Sequence, residues 1–476
     1  MLLPVSAKTI YGSFGRTKST ISNDVNYRRS KDIVLEGDGY MYREAMRQLK
    51  SWKMAPDRKP LILRGARQVG KTWLMKEFGK LYYQKCAYIS MDENERMEEV
   101  FREAFDIGRI IEMLEIEVGF KIDPEETLII FDEVQEIPRA LKSLKYFQET
   151  APQYHIIAAG SFLGIALHEG TSFPVGKVDF CYLYPLTFRE FLLACGEERL
   201  LEILDRNDSD AMQVFRTKYT DYLKYYYYIG GMPEAVLEFI TNRDMKKVRE
   251  VQNRLLYAYE NDLSKHASKE IVIRIRMLWN SIPAQLAKEN KKFIYGLIRE
   301  GARAREYEVA ITWLIDVGLV YKVGRVKKPD FPLRAYQDFS AFKLFVVDIG
   351  LLGAMSHLNQ KIILEGNRLF EEFKGALTEQ YVLQQLITDP ENDIFYWSAE
   401  NATAELDFLI QTDEYMIPME VKAQENLQAK SLKVFTQKYG IKKAVRVSMA
   451  GFRDQDWLIN FPLYNVGNLN KYLKGK

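Results

Sequence analysis

Gly65-Ala66-Arg67-Gln68-Val69-Gly70-Lys71-Thr72 reads G-x-x-x-x-G-K-T, the signature of a loop that cradles the phosphates of a nucleoside triphosphate. Pro60-Leu61-Ile62-Leu63 leads into it as a buried strand, and Trp73-Leu74-Met75-Lys76-Glu77-Phe78 leads out as a helix. The glycines let the backbone curl so that successive N–H groups face one anion, and the helix N-terminus adds its positive dipole end. Lys71 is expected to reach the β- and γ-phosphates, and the Thr72 hydroxyl to take one Mg2+ position. A Gly-rich strand-to-helix turn that binds nothing is the competing reading. Strand, loop, Lys-Thr and helix in this order argue against it.

Further on, Thr127-Leu128-Ile129-Ile130-Phe131-Asp132-Glu133 is an apolar run closed by two carboxylates. It is expected as a central parallel strand, buried on both faces, with its acidic end at the rim where ligands sit. Asp132 is placed to hold Mg2+ through water, and Glu133 to orient or deprotonate an attacking water. Acidic pairs after strands are common; behind a phosphate loop the pair gains its meaning. Lys71, Asp132 and Glu133 are therefore the candidate catalytic residues, and residues Gly65 to Thr72 the cradle. ATP and Mg2+ are the expected ligands.

From Pro60 onward short apolar strands alternate with helices, as a parallel α/β sheet requires. The expected strands are Leu61–Arg64, Cys86–Ser90, Thr127–Phe131, His155–Ala159 and Lys177–Leu183. Ser161 follows the fourth; it reads equally as a sensor of the γ-phosphate and as a helix N-cap. Arg139, on the helix after Glu133, is read as facing a neighbour or the nucleotide, although most helix arginines are solvated. Tyr184-Pro185-Leu186-Thr187-Phe188-Arg189-Glu190-Phe191 opens a helical region, with Thr187 and Glu190 at capping-box spacing. Tyr225 to Tyr228 resemble a base-stacking platform, but four consecutive helical tyrosines point four ways, so packing around Gly230-Gly231-Met232-Pro233 is expected.

A winged-helix segment is expected over 279–328. Ser281–Ala287 and Glu306–Leu314 would be its helices, Gly318–Val323 the start of its strand, and Arg325, Lys327 and Lys328 its wing. Such positions serve DNA phosphates or protein partners alike.

With 476 residues the chain is too long for one core. Net charge of +2, from 67 basic and 65 acidic residues, leaves any basic surface local. Cys86, Cys181 and Cys195 have no C-x-x-C spacing, and His155, His168, His266 and His357 are scattered, so core thiols in a reducing cytoplasm are expected rather than disulfides or zinc. No apolar run has the length of a membrane span. Residues 17–29 are polar and aperiodic and lack the apolar core of a signal peptide, so residues 1–40 are expected as a disordered extension. Met41, at the head of an expected helix to Leu49, is a candidate start.

The last part of the chain carries a second constellation. Glu379 lies on an expected helix, Phe370–Leu386. Asp407 sits in the alternating strand Glu405-Leu406-Asp407-Phe408-Leu409-Ile410, and Glu420 and Lys422 end the strand after the next turn. Two residues apart on a strand, Glu420 and Lys422 share a face, and the hairpin can set Asp407 beside them. Asp407 and Glu420 could hold a Mg2+ that polarises a phosphodiester, with Lys422 steadying charge. Surface salt bridges are the competing reading. A helix over Leu427–Tyr439 is expected to follow.

Taken together, these motifs resemble a family of bacterial and archaeal ATP-binding proteins. Its members join an AAA-type ATPase domain to a C-terminal domain of unknown function with a PD-(D/E)XK nuclease-like motif. The resemblance spans 41–476 and rests on the phosphate loop, Phe131-Asp132-Glu133-Val134-Gln135, the Tyr184–Phe191 and Gly230–Glu234 stretches, Phe345-Val346-Val347-Asp348-Ile349-Gly350-Leu351-Leu352 and Glu420-Val421-Lys422. It implies an AAA-type parallel sheet over 41–190, a helical lid over 191–270, a winged-helix-like region over 271–340 and a restriction-endonuclease-like α/β domain over 341–476. Members usually show Gly-Arg where this chain has Gly176-Lys177; lysine lacks the bidentate fork of an arginine finger, which weakens the implied homo-oligomer. The expected function is ATP hydrolysis coupled to a DNA-directed, nuclease-like domain. The alternative is a nucleotide-gated switch whose nuclease-like domain binds DNA or a protein without cleavage.

Overall fold

In the computed structural model the described residues are 41–102, 105–161, 164, 174–266, 268–288, 291–365, 371–399, 404–423 and 429–475. The expected extension 1–40, His168 and the start of the helix expected from Leu427 lie outside them.

Strands β1 (Leu61–Arg64), β2 (Lys85–Ser90), β3 (Thr127–Asp132), β4 (His155–Ala159) and β5 (Asp179–Tyr182) form one parallel sheet in the order β2-β3-β4-β1-β5. All six residues of β3 are buried, which is why its sequence shows no polar alternation. Its side chains divide between two cores: Leu128 and Ile130 pack with Leu61 and Leu63, while Ile129 and Phe131 pack with Ile62 and Ile156. At the sheet edge β5 leaves Phe180 and Tyr182 partly exposed, and it is shorter than the run expected from Lys177 to Leu183. Because β1, β4 and β3 are neighbours and parallel, their C-terminal ends meet on one rim. The phosphate loop, Ser161 and Asp132-Glu133 follow those ends.

Helices dominate from Phe188 to Leu286. The Thr187 hydroxyl accepts from the Glu190 amide and the Glu190 carboxylate accepts from the Thr187 amide, completing the capping box. Tyr226, Tyr227 and Tyr228 are buried, and Tyr226 packs edge-on against Phe188, Phe191 and Tyr381. The tyrosine run is core. The same core continues into the C-terminal half through Phe345, Phe408 and Met419.

That half is built on a mixed eight-stranded sheet in the order β12-β13-β11-β10-β9-β8-β6-β7. Its strands are β6 (Val320–Val326), β7 (Gln337–Val346), β8 (Asp393–Ser398), β9 (Glu405–Gln411), β10 (Met416–Val421), β11 (Ala444–Ser448), β12 (Arg453–Asp454) and β13 (Leu458–Pro462). This corrects the winged-helix expectation. Helices do occupy Lys269–Leu286 and Ala304–Asp316, but β6 pairs antiparallel with β7 and parallel with β8, so the expected wing is an integral part of this sheet. The boundary expected at 341 falls inside β7. Arg325 pairs with Asp338, and Lys328 with Asp330, so neither is arranged as a wing cation.

Candidate functional site

The loop 65–72 curls through backbone conformations that only certain residues hold easily. Gly65 has φ +149°, and a Cβ there would lie 2.2 Å from the Leu183 carbonyl oxygen. Gln68 adopts φ +66°, a conformation uncommon outside glycine and typical of sites that need a special backbone. Lys71 opens the helix Lys71–Tyr82 and folds its ammonium onto the carbonyls of Gly65 and Ala66, each at 2.9 Å. Burial lowers its pKa to about 8, with Glu133 and Asp132 opposing the shift. The ammonium is still charged at neutral pH, and phosphate oxygens would offset its desolvation.

At the next residue Thr72 Oγ1 donates to Asp132 Oδ2 at 2.6 Å, and the Tyr88 hydroxyl donates to the same oxygen at 3.0 Å. Burial and Asp132 raise the Tyr88 pKa, keeping that hydroxyl a donor. A hydroxyl and a carboxylate this close at the end of a phosphate loop fit a magnesium ion accompanying a triphosphate. Glu133 stands beside them in a left-handed backbone conformation, φ +49°. Its carboxylate accepts from the Ser161 amide and hydroxyl, both at 3.1 Å, and from Gln135 Nε2 at 2.8 Å. Burial would raise its pKa, but these hydrogen bonds and Lys71 carry it below the usual range. The structure thus brings together Lys71, Thr72, Asp132, Glu133 and Ser161. A cavity of about 660 Å3 borders Gly65, Ala66 and Ser161 and reaches Tyr321 and Lys322 on β6.

Several contacts from outside the sheet hold the loop, and the sequence motifs did not reveal them. Arg43 donates from Nη1 to Val69 O at 2.8 Å and pairs through Nε with the buried Glu190 at 3.1 Å. The Tyr259 hydroxyl donates to Arg67 O at 2.9 Å, and the Arg67 side chain pairs with Asp262. Gly318, between helix Ala304–Asp316 and β6, lies so close that a Cβ would be 3.2 Å from the Ala66 amide nitrogen. Asp348, wholly buried, accepts from the Gly231 amide at 2.6 Å and from Gln384 at 3.0 Å, which joins two of the recurring sequence stretches. Arg139 turns away from the site: its Nε donates to Phe101 O at 2.5 Å. Lys177 pairs with Glu149 at 3.0 Å.

In the C-terminal sheet Glu379, Asp407, Glu420 and Lys422 do converge, but on company the sequence reading missed. Lys291 Nζ lies 2.5 Å from Glu379 Oε1. Lys343, fully buried on β7, lies 2.6 Å from Glu405 and 3.7 Å from Glu379. Asp407 Oδ2 accepts from the Val421 amide at 2.7 Å, and Lys422 pairs with Glu420 at 2.8 Å. Burial and the neighbouring Glu379 push Asp407 up to about 8, so it is protonated at neutral pH. Glu379 goes down: its burial is outweighed by Lys291 and Lys343. With Asp407 neutral, the ammoniums of Lys291 and Lys343 balance the carboxylates of Glu379 and Glu405. The Mg2+ expected between Asp407 and Glu420 would have to compete with Lys422 for Glu420 and would stand close to the ammoniums that hold Glu379 and Glu405. Among the described residues no group of three acidic, histidine or cysteine side chains is arranged to hold a metal ion.

Comparisons with known proteins bear on the first site. Residues 57–192 match the family model of the AAA domain. Residues 220–362 and 374–464 match two models described only as domains of unknown function (DUF8612 and DUF4143). No curated protein matches the chain. Among solved structures, the Walker-type ATPase PABY2304 of Pyrococcus abyssi is similar at 16% identity and TM-score 0.42, covering 67% of this chain and 96% of that one. The Orc1 protein of Aeropyrum pernix in complex with DNA gives 14% identity and TM-score 0.27, covering 67% of this chain and 93% of that one. Cdc6p from Pyrobaculum aerophilum gives 13% and 0.24, covering 69% and 97%. Scores this low leave the AAA match as the finding that bears on the site. No described helix is long and apolar enough to cross a membrane.

Proposed function

We propose that the protein binds and hydrolyses Mg2+-ATP at the loop 65–72, and that the nucleotide state is passed to a C-terminal domain that binds a partner without cutting it. The observation that carries the first half is the meeting of Thr72 and Asp132 at 2.6 Å, with Glu133 next to them on the same rim. Lys71 and the curled loop would bind the phosphates, Thr72 and Asp132 would hold the ion, and the ion would supply neutralisation of phosphate charge. Glu133 stays ionised and so can accept a proton from water once freed from Ser161. Ser161 borders the same cavity as Gly65 and Ala66, so its hold on Glu133 is sensitive to what occupies the loop.

The second half is favoured by the clamps on the loop. Tyr259 and Asp262 both grip Arg67, and Gly318 abuts Ala66 at the root of β6. A loop that re-forms around phosphates must move against these groups, which belong to the helical region and the C-terminal sheet. The lysine-filled acidic cluster favours binding over metal-dependent cleavage there. The test is direct. Lys71→Ala should lose ATP binding, and Glu133→Gln should keep ATP while turnover falls by orders of magnitude. Unchanged turnover in either variant refutes the proposal.

A further inference from the structure

The helix Lys430–Tyr439 packs Leu432 and Phe435 onto the C-terminal sheet against Leu409, Ala444 and Leu458. Where its first turn meets the ends of β11, β12 and β13, a cavity of about 300 Å3 opens. Lys430, Lys433, Arg446 and Arg453 line it, together with Gln455 and Trp457, and none of the described residues lining it is a carboxylate. We propose that this cavity binds backbone phosphate of a single-stranded nucleic acid, with Trp457 offering a face on which a base stacks.

Lys430, Lys433 and Arg453 are exposed around this opening, while the buried Arg446 has Glu420 as its neighbour on β10. Lys430 and Lys433 sit at the end of a ten-residue helix where the dipole is already positive, and its N-cap, Ala429, supplies no capping side chain. Cations there have the unfavourable sign against the dipole, and a bound anion would offset that repulsion. Arg446 is only 2% exposed, and its Nε donates to the neutral Asn460 Oδ1 at 2.9 Å. Arg446 thus adds positive charge at the floor, and the exposed Lys430, Lys433 and Arg453 are the groups placed to meet phosphate oxygens. Strand register then places the cavity. Glu420, Arg446, Asn460 and Arg453 are successive partners across β10, β11, β13 and β12. The basic opening therefore lies along one row from the Glu420–Lys422 pair, so a strand seated in it would continue over the acidic cluster.

A nucleic-acid strand fits better than a free anion because the exposed members, Lys430, Lys433 and Arg453, are spread over two elements around the mouth. One small ion cannot touch them all, whereas successive phosphates can, and the ring beside them suits an unpaired base.

The inference rests on the C-terminal domain being a binding module. The test uses the full chain and a fluorescein-labelled oligothymidylate, read by anisotropy over a series of salt concentrations without nucleotide. Binding should weaken with a log–log salt slope of about −0.7 per phosphate engaged. Lys430→Glu with Arg453→Glu should lower affinity at least about tenfold, and Trp457→Ala about fivefold or more. Both variants should keep wild-type ATP turnover and circular dichroism; if the double reversal fails to fold, Lys430→Gln with Arg453→Gln replaces it. Equal oligonucleotide affinity in wild type and folded variants overturns the proposal, as does displacement by inorganic phosphate or ADP at the oligonucleotide's own concentration. Lys71→Ala separates the two readings: it should retain oligonucleotide binding while losing ATP. Absent ATP turnover with intact oligonucleotide binding would sink the ATPase and leave the cavity's assignment standing.

Discussion

Replacing Asp407 by asparagine tests the reading of the C-terminal acidic cluster as a proton-sharing, lysine-balanced core. Asp407 titrates at about 8 in the fold against a reference of 3.8, raised by burial and by Glu379 and opposed by Lys343, Lys291 and the Val421 amide. A carboxyl raised on folding keeps a proton that the unfolded chain has released, so stability is lost as pH climbs from 3.8 through 8. The slope is up to about 1.4 kcal/mol per pH unit, giving roughly 2–3 kcal/mol between pH 5 and pH 7. Glu379 runs the other way, but its depressed pKa adds stability only up to its unfolded value of 4.5 and leaves that window flat. An asparagine side chain at this position would still accept from the Val421 amide and would place an N–H where the shared proton sits. Asp407→Asn should therefore match wild type near pH 5 and exceed it at pH 7. With an unfolding entropy of about 2 cal/mol/K per residue, that is roughly 2–3 °C in Tm if the domains unfold together. The assay is calorimetry of both proteins from pH 5 to pH 8, with and without Mn2+. A variant whose Tm falls with pH in parallel with wild type refutes the shared proton. A Mn2+-dependent rise in wild type that the variant lacks would restore Asp407 as a metal ligand.

Other expectations are simpler to state. ATP affinity should hold below pH 8 and fall up to about tenfold by pH 9, as the buried Lys71 ammonium, titrating at about 8, loses its proton; a flat profile by equilibrium dialysis would remove Lys71 from the phosphates. Lys343→Met leaves Glu405 without its buried partner and Glu379 with Lys291 alone, and should cost about 3–5 kcal/mol at pH 7, less at pH 4.5, by chemical denaturation. Gly318→Val, at φ +74° and against the Ala66 amide, should weaken ATP binding with little loss of the C-terminal fold; an unchanged Kd would show that the contact carries nothing. Supercoiled plasmid with Mg2+ should stay uncut by wild type, and nicking that disappears in Asp407→Asn would overturn the balance assigned to the lysines.

Much of the parallel-sheet half and its loop was legible because its parts are local. The loop motif is eight consecutive residues, and the strand ahead of Asp132 announces itself as an unbroken apolar run, so both the loop and the buried position of β3 could be read. Ser161 could be placed after β4 but not assigned a role, since its bonds to Glu133 come from a segment distant in sequence. The winged helix failed for a physical reason. A helix, a glycine turn and a strand rich in basic residues look the same whether the strand ends in a free hairpin or joins a larger sheet, and what decides is pairing between β6 and β8, which are far apart in sequence.

The lysine-balanced cluster was hidden differently. Glu379, Asp407, Glu420 and Lys422 match an expected pattern, and a pattern names its own members while staying silent on what neutralises them. Yet a signal was there. Ala341-Phe342-Lys343-Leu344-Phe345-Val346-Val347-Asp348 carries two charges inside a run otherwise apolar enough to be buried. A charge in such a run must meet a partner, because leaving it alone in the core would cost several kcal/mol. Asp348 meets the Gly231 amide and Gln384, and Lys343 meets Glu379 and Glu405. Read that way, Lys343 marks a buried acidic cluster that already has its cations, and the spacing of the acids alone is not enough to assign them a metal.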